Sequence, residues 1–254
     1  MCAISKSFNI FGQFDLKVYA RMLFPAPLIQ GTLIKRYKRF LADVELENGD
    51  VIVAHCANSG SMMGLKEEGF KVWLSISDNP KRKLKYSWEL VDTGTTLAGI
   101  NTAHPNRIVA DTITEGKIPE LTGYDNLKRE VKYGKNSRID IFLTSEGKPD
   151  CYVEIKNVTL SRETGAAEFP DSVTARGTKH LHELSDMVTE GHRAVMFYLV
   201  QRDDCDTFEI ASDIDPIYAA ALKQAREIGV EILCYDCKID PYGIEIRRPV
   251  QIVE

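Results

Sequence analysis

The chain has 254 residues, is 44% hydrophobic, and carries a formal net charge of −5. This length is enough for one large domain or two ordinary ones, of which we expect two, and the negative charge excludes a generally basic nucleic-acid coat. There is no apolar run long enough to span a bilayer, no signal-peptide pattern and no disulfide-like cysteine spacing, so we expect a cytoplasmic protein without a membrane partner.

The first half of the chain has the pattern of a small β-barrel. Residues 1–21 are poorly patterned and are predicted to be an N-terminal extension, followed by a domain over residues 22–100. Short β-rich runs there are separated by turn signals such as Asn48-Gly49-Asp50. The predicted strands cover residues 29–37, 40–46, 51–56, 71–77, 86–91 and 96–100. We interpret them as an OB-type barrel, although any small β-barrel would give the same pattern.

Two basic runs with aromatic neighbours lie in this barrel. OB-type barrels commonly present basic and aromatic groups to single-stranded nucleic acid, so both runs are candidate contacts. The alternative is that they are solvated side chains on turns or strand edges. The candidate residues are Lys35, Arg36, Lys38, Arg39, Lys81, Arg82, Lys83 and Lys85.

The second half, residues 101–254, alternates helices and strands. Helices are predicted over residues 103–116, 172–190 and 216–228, and strands over 127–133, 138–143, 151–157, 192–201 and 230–237. The order α-β-β-β-α-β-α-β predicts an α/β sandwich around a mixed central sheet. The whole chain is therefore expected to be α/β, or α+β overall.

Asp140, Glu154 and Lys156 are the candidate catalytic residues of this domain. Period-two geometry puts them on one face of two adjacent strands. If the turn folds symmetrically about Gly147, the two carboxylates face each other within about 5 Å at their β-carbons. They would repel, so removing either charge should relieve strain, and a bound divalent cation explains the pair better than packing does. A charge ladder on a solvated sheet face is the alternative. The opposite, apolar face would carry Ile139, Ile141, Leu143, Cys151, Val153 and Ile155.

An Asp on one strand and Glu-x-Lys on the next, followed by a helix and a hydrophobic strand, resembles the PD-(D/E)xK nuclease core. Ile139 stands where that motif has proline. Beyond the core, residues 22 to about 238 resemble the bacterial and archaeal sugar fermentation stimulation protein A family. The matching segments include Met22-Leu23-Phe24-Pro25, Asn58-Ser59-Gly60-Ser61-Met62, Pro105-Asn106-Arg107, Val153-Glu154-Ile155-Lys156-Asn157 and Thr174-Ala175-Arg176-Gly177-Thr178-Lys179-His180.

The resemblance implies an N-terminal OB domain, a restriction-endonuclease-like second domain, non-specific DNA binding and a regulatory part in sugar, notably maltose, utilisation. For phosphodiester hydrolysis, Asp140, Glu154 and the Ile155 carbonyl would hold Mg²⁺ or Mn²⁺. Lys156 would orient or deprotonate the attacking water, or stabilise the transition state.

Several flanking residues have two interpretations. Glu130 is either an additional acidic ligand or an exposed strand position. The helix residues Arg176 and Lys179, with His180, either bind flanking phosphates or form a solvated helix face. Asn58, Ser59, Ser61, Asn101 and Asn106 are interpreted first as polar turn residues, and as ligands only through the family resemblance.

Two functions follow. One is a Mg²⁺- or Mn²⁺-dependent nuclease with no sequence preference for DNA. The other is a DNA-binding regulator of sugar metabolism that keeps the nuclease fold without efficient catalysis. The strand type and homo-oligomer formation stay open.

Overall fold

The computed structural model describes residues 21–134 and 136–253. Of the predicted extension, only Arg21 is described, and it begins the first strand; the rest lies outside the described residues. The N-terminal strands are β1 Arg21–Leu23, β2 Ile29–Tyr37, β3 Leu41–Leu46, β4 Val51–Cys56, β5 Lys71–Ile76, β6 Tyr86–Asp92 and β7 Leu97–Gly99. The remaining elements are α1 Pro105–Thr114, a 3₁₀ turn Pro119–Leu121, β8 Asn126–Tyr133, β9 Ser137–Thr144, β10 Cys151–Val158, β11 Leu160–Glu163, β12 Gly165–Phe169, α2 Ala175–Thr189, β13 Arg193–Val200, β14 Cys205–Ile210, α3 Pro216–Ile228, β15 Glu231–Asp240, β16 Gly243–Pro249 and β17 Gln251–Ile252.

Strands β2 to β6 close into a five-stranded barrel. They lie in the order β4-β3-β2-β5-β6, and a parallel pairing of β4 with β6 completes the ring. Alternate side chains point inward, as the sequence pattern predicts. The barrel core contains Leu33, Ala42, Val44, Leu74 and Trp88, all inaccessible to solvent.

The second unit is a three-layer sandwich around a seven-stranded sheet in the order β1-β16-β15-β13-β10-β9-β8. Strands β10, β13 and β15 run parallel and the other pairings are antiparallel, so the sheet is mixed, as predicted. Helix α1 covers one face, and α2 and α3 cover the other. The central strand β13 is buried on both faces. Its Val195, Phe197 and Leu199 pack on the α1 side, and Met196, Tyr198 and Val200 pack on the side of α2 and α3.

Two features were not predicted. A small four-stranded sheet in the order β11-β12-β14-β17 lies beside the sandwich. Strand β1 pairs with β16, so Met22 belongs to the core of the sandwich even though it precedes the barrel in the chain.

The barrel and the sandwich are joined by hydrogen bonds. Gly99 N–H donates to the Gln201 carbonyl at 2.9 Å, and Met62 N–H donates to Asp171 Oδ2 at 3.1 Å. The first bond joins β7 to the residue that follows β13, and the second joins the loop after β4 to the loop that precedes α2. In the part of the chain that the structure describes, no helix has the length and hydropathy to cross a bilayer.

Candidate active site

The hairpin of β9 and β10 carries the predicted catalytic carboxylates. Its register pairs Leu143 with Cys151 and Ile141 with Val153, so the turn is centred on Gly147 as predicted. Alternation along β10 is also as predicted. Cys151, Val153 and Ile155 pack in the core on the α1 side, and both Glu154 and Lys156 contact His180 of α2.

Asp140 interrupts the alternation of β9, which corrects the predicted position of Ile139. Ile141 and Leu143 pack on the α1 side, whereas Ile139 packs in the core beneath α2 and α3. Regular pairing with β10 reaches only to Ile141, and beyond it the Asp140 carboxylate accepts the Ile155 N–H at 2.8 Å. The Asp140 side-chain oxygen, rather than a backbone carbonyl of β9, thus accepts this N–H. The regular backbone pairing ends here, and the Ile139 side chain lies on the opposite face of the sheet from that of Ile141.

Glu154 is buried between β10 and α2, with 3% of its surface exposed. Its Oε1 accepts hydrogen bonds from Lys156 Nζ at 2.7 Å and from His180 Nδ1. Arg176 donates its Nε–H to His180 Nε2 at 3.3 Å, which leaves the ring proton on Nδ1, facing Glu154. The second oxygen, Oε2, is buried and has no hydrogen-bond partner among the described residues. A buried acceptor without a donor is costly, so Oε2 marks a position for a ligand.

Asn106, in the first turn of α1, links the other two acidic residues. Its Nδ2 donates to Asp140 Oδ1 at 2.7 Å and to Glu130 Oε1 at 3.0 Å. Glu130 and Asp140 lie between the paired positions Arg129–Ile141 and Val131–Ile139 of β8 and β9, and Glu130 has a left-handed backbone with φ of 56°. That conformation costs a non-glycine residue about 1–3 kcal/mol. The structure thus brings Glu130 beside Asp140 at the expense of backbone strain.

Burial and the nearby Glu154 carboxylate raise the pKa of Asp140 to about 6. Burial also acts to raise the pKa of Glu154, but Lys156 and His180 outweigh it and hold that pKa below its ordinary value. Glu154 is therefore neutralised by cations and donors of the chain, whereas Asp140 has only neutral hydrogen-bond donors. This corrects the expectation that removing either charge would relieve strain. Relief is expected when the charge of Asp140 is removed, and not when that of Glu154 is removed.

The donor set fits a hard divalent cation in part. Glu154 Oε2 is buried and unpaired, Asp140 is hydrogen-bonded only to neutral donors among the described residues, and carboxylate oxygens are the ligands that Mg²⁺ and Mn²⁺ prefer. Among residues 21–134 and 136–253, no three His, Cys, Asp or Glu side chains already form a metal-binding group. A cation held here would therefore also use the Ile155 carbonyl and water.

Sequence reasoning missed the roles of two residues at this site. Asn106 was interpreted as a turn residue, yet it bonds to two carboxylates. His180 was expected among the phosphate contacts, but it is 4% exposed and bonded to Glu154. Its spacing of four residues from Arg176 places both on one helix face and was the available signal.

The two basic runs of the barrel meet at one rim. His55 of β4 pairs with Leu41 at the start of β3 and with Ser87 near the start of β6. The turn before β3 and the loop before β6 therefore lie side by side. The cations exposed at this rim are Lys38, Arg39, Lys81, Arg82, Lys83 and Lys85.

The other two predicted barrel contacts are engaged within the protein. Arg36 is half-buried, and its Nη2 donates to the carbonyls of Asn58 at 2.9 Å and Gly60 at 3.1 Å. Lys35 lies 3.5 Å from Asp43 Oδ2. Arg36 thus fixes the loop that follows β4.

Arg176 and Lys179 face different cavities. Arg176 lines a cleft of about 390 Å³ between the barrel and the sandwich, and Arg39 lines the same cleft from the barrel side. Lys179 lines a separate cavity beside α2, where its Nζ lies 3.1 Å from Ser137 Oγ and 3.5 Å from Glu183 Oε1. Of the two, only Arg176 is placed near the barrel cations.

Comparison with a solved structure supports this architecture. The structure of Pyrococcus furiosus SfsA in complex with Ca²⁺ superimposes with a TM-score of 0.83 and 25% sequence identity, covering 92% of this chain and 99% of that chain. The predicted fold class, an OB-type barrel followed by a nuclease-like α/β sandwich, is confirmed by this match together with the two family models below.

Two family models match adjacent parts of the chain. The SfsA N-terminal OB domain matches residues 34–100, and the sugar fermentation stimulation protein RE domain matches residues 103–243. The sugar fermentation stimulation protein homolog of Paramagnetospirillum magneticum is 58% identical over 229 residues, covering 90% of this chain and 97% of its own. The homolog of Agrobacterium fabrum is 51% identical over 233 residues, covering 92% of this chain and 98% of its own. The chain belongs to the sugar fermentation stimulation protein family.

Proposed function

We propose that this protein is a cytoplasmic, non-specific DNA-binding phosphodiesterase that cleaves nucleic acid with Mg²⁺ or Mn²⁺. The observation that carries the proposal is the buried, unpaired Oε2 of Glu154 on the strand next to Asp140, whose pKa is raised to about 6. Carboxylates whose pKa is shifted by burial and by a neighbouring charge are more typical of functional sites than of solvated charge ladders. The Ca²⁺ complex of the Pyrococcus furiosus relative supports a divalent-cation site in this family.

Each residue has a role in this proposal. Asp140, Glu154 Oε2 and the Ile155 carbonyl would hold the cation, with Glu130 as a further acidic ligand. A bound Mg²⁺ or Mn²⁺ would polarise a phosphoryl oxygen and increase the acidity of water. Lys156 places a positive charge 2.7 Å from Glu154 Oε1, where it orients the attacking water or stabilises charge that develops on the phosphoryl oxygens.

The DNA-binding part of the proposal rests on the rim of the barrel. Six exposed Lys and Arg side chains lie at this rim, whereas the whole chain has a net charge of −5. The positive charge is therefore concentrated locally at the rim. Among the helices that the structure describes, none presents a recognition pattern for base edges, and contacts made by Lys and Arg alone favour phosphate binding without sequence preference. The five described cysteines are free thiols, which supports a reducing compartment.

A second function is favoured by one observation and by the names of the relatives. Lys156 Nζ is ion-paired with Glu154 Oε1 at 2.7 Å, an arrangement that would also stabilise a nuclease fold without efficient catalysis. The relatives are named for stimulation of sugar fermentation. The second candidate is therefore a DNA-binding regulatory factor of sugar metabolism.

A cleavage assay separates the two functions. End-labelled single-stranded and duplex DNA, and the corresponding RNA, are incubated with the protein in Mn²⁺, in Mg²⁺ and in EDTA. The nuclease proposal predicts metal-dependent cleavage, with a loss of about 10²–10⁴-fold in rate for Lys156→Ala. The regulatory alternative predicts binding of the same DNA without cleavage in either metal.

A further inference from the structure

The cleft between the barrel and the sandwich is narrow and polar, and both of its walls are fixed. Arg36 holds the carbonyls of Asn58 and Gly60 on the barrel wall, and Asp171 of the sandwich wall accepts the Met62 N–H. A volume of about 390 Å³ is that of a small-molecule site. Such a volume suits a ligand of the size of about one nucleotide rather than a duplex.

Two arginines line this cleft from opposite walls. Arg39 comes from the turn before β3, and Arg176 comes from the first turn of α2. Both are exposed, and neither has an ion-pair partner among the described residues; Arg176 is bonded only to His180 through Nε. Unneutralised guanidinium groups favour phosphate, to which they donate in pairs.

Apolar side chains lie beside the two arginines. Val173, 71% exposed, lines the cleft, and Phe40, 46% exposed, follows Arg39 directly in the chain. The Phe40 ring stacks on His55 with an interplanar angle of 18°, which leaves a flat aromatic surface at the rim. Bases stack on such a surface without regard to sequence, because every base has a π-face.

The cleft also leads to the candidate active site. Arg176 lines it and donates its Nε–H to His180 Nε2, and His180 Nδ1 in turn contacts Glu154 Oε1. A phosphate bound at Arg176 would thus be linked to Glu154 through one intervening side chain.

We propose that the cleft is a nucleotide subsite for single-stranded nucleic acid, with a phosphate between Arg39 and Arg176 and a neighbouring base stacked on Phe40. This inference deepens the proposed function and rests on it, because it names a single strand rather than a duplex as the substrate.

Binding in EDTA tests the subsite without cleavage. Fluorescence anisotropy compares a fluorescein-labelled oligonucleotide, alone and annealed to its complement, for the full chain and for Arg39→Ala, Arg176→Ala and Phe40→Ala. Lys223→Ala removes one exposed positive charge from α3, on another part of the sandwich, and is the matched control.

The single strand should bind at least about tenfold more tightly than the duplex. The slope of log affinity against log salt is negative, and each arginine variant should make it shallower by about 0.7 for the single strand. Phe40→Ala should weaken binding of the single strand and leave that slope unchanged. Equal affinity for the two forms, or arginine variants that match Lys223→Ala, would overturn the subsite.

Cleavage measured separately distinguishes the two proposals. Cleavage without strand preference would overturn the subsite and leave the nuclease standing. Strand-selective binding that depends on Arg39 and Arg176, without cleavage in Mn²⁺, would overturn the nuclease and leave the subsite standing.

Discussion

Asp140→Asn should stabilise the metal-free protein while weakening its response to metal. The pKa of Asp140 rises from an ordinary 3.8 to about 6 on folding. Because one pKa unit corresponds to about 1.36 kcal/mol, the ionised carboxylate costs the native state up to about 3 kcal/mol at pH 7. Asparagine removes the charge and keeps an oxygen that can accept the Ile155 N–H. We expect a gain of about 1–3 kcal/mol in the free energy of unfolding, or about 2–4 °C in Tm per kcal/mol.

The sign of the pH dependence follows from the raised pKa. The protonated form of Asp140 stabilises the native state, and that contribution is complete below 3.8 and lost as the pH rises through about 6. The advantage of Asp140→Asn over the unaltered protein should therefore shrink to under about 1 kcal/mol near pH 4.

Urea and thermal unfolding in EDTA, repeated with Mn²⁺, measure both effects. Asp78→Asn, at an exposed loop position, is the control for simple loss of a negative charge. Mn²⁺ should raise the Tm of the unaltered protein and of Asp78→Asn, and should raise that of Asp140→Asn much less. A loss of stability for Asp140→Asn at pH 7 together with an intact Mn²⁺ response would refute this reasoning.

Three further predictions concern neighbouring groups. Glu154→Gln should destabilise the metal-free protein by about 3 kcal/mol in urea unfolding at pH 7, because it leaves Lys156 and His180 without their buried partner; a stabilised variant would contradict the ion pair. Asn106→Leu should lower Mn²⁺ affinity in calorimetry by about tenfold or more, because Asp140 loses its positioning donor; unchanged affinity would exclude that role. Replacing the second basic run by alanine should weaken DNA binding uniformly across sequences and lower the salt slope by about 1 for each phosphate that is no longer bound, whereas unchanged affinity at low salt would exclude the rim. The residues replaced together are Lys81, Arg82, Lys83 and Lys85.

Much of the fold could be predicted because its signals are local. The alternation of apolar residues defined the barrel strands, and helix α3 lies at its predicted bounds of residues 216–228. The turn about Gly147 fixed the register of β9 and β10 from the sequence alone. Elements of this kind depend on the period of the apolar pattern and on turn residues a few positions away.

The rest depends on tertiary contacts that local patterns do not contain. The sheet of β11, β12, β14 and β17 pairs segments up to 44 positions apart in the chain, as between Thr207 and Gln251, and its strands have two to six residues. Asp140 and Asn106 meet only because α1 packs over the sheet, where the carboxylate replaces a strand carbonyl. Lys156 and His180 likewise meet across α2 and β10, and their approach to Glu154 decides which of the two carboxylates remains uncompensated.

Anomalous diffraction from crystals of the protein grown with Mn²⁺ would test the central claim most directly. The account predicts an anomalous peak in contact with Asp140 and with Glu154 Oε2, and loss of that peak in Asp140→Asn. A peak elsewhere, or no peak while Lys156 stays paired with Glu154, would contradict it.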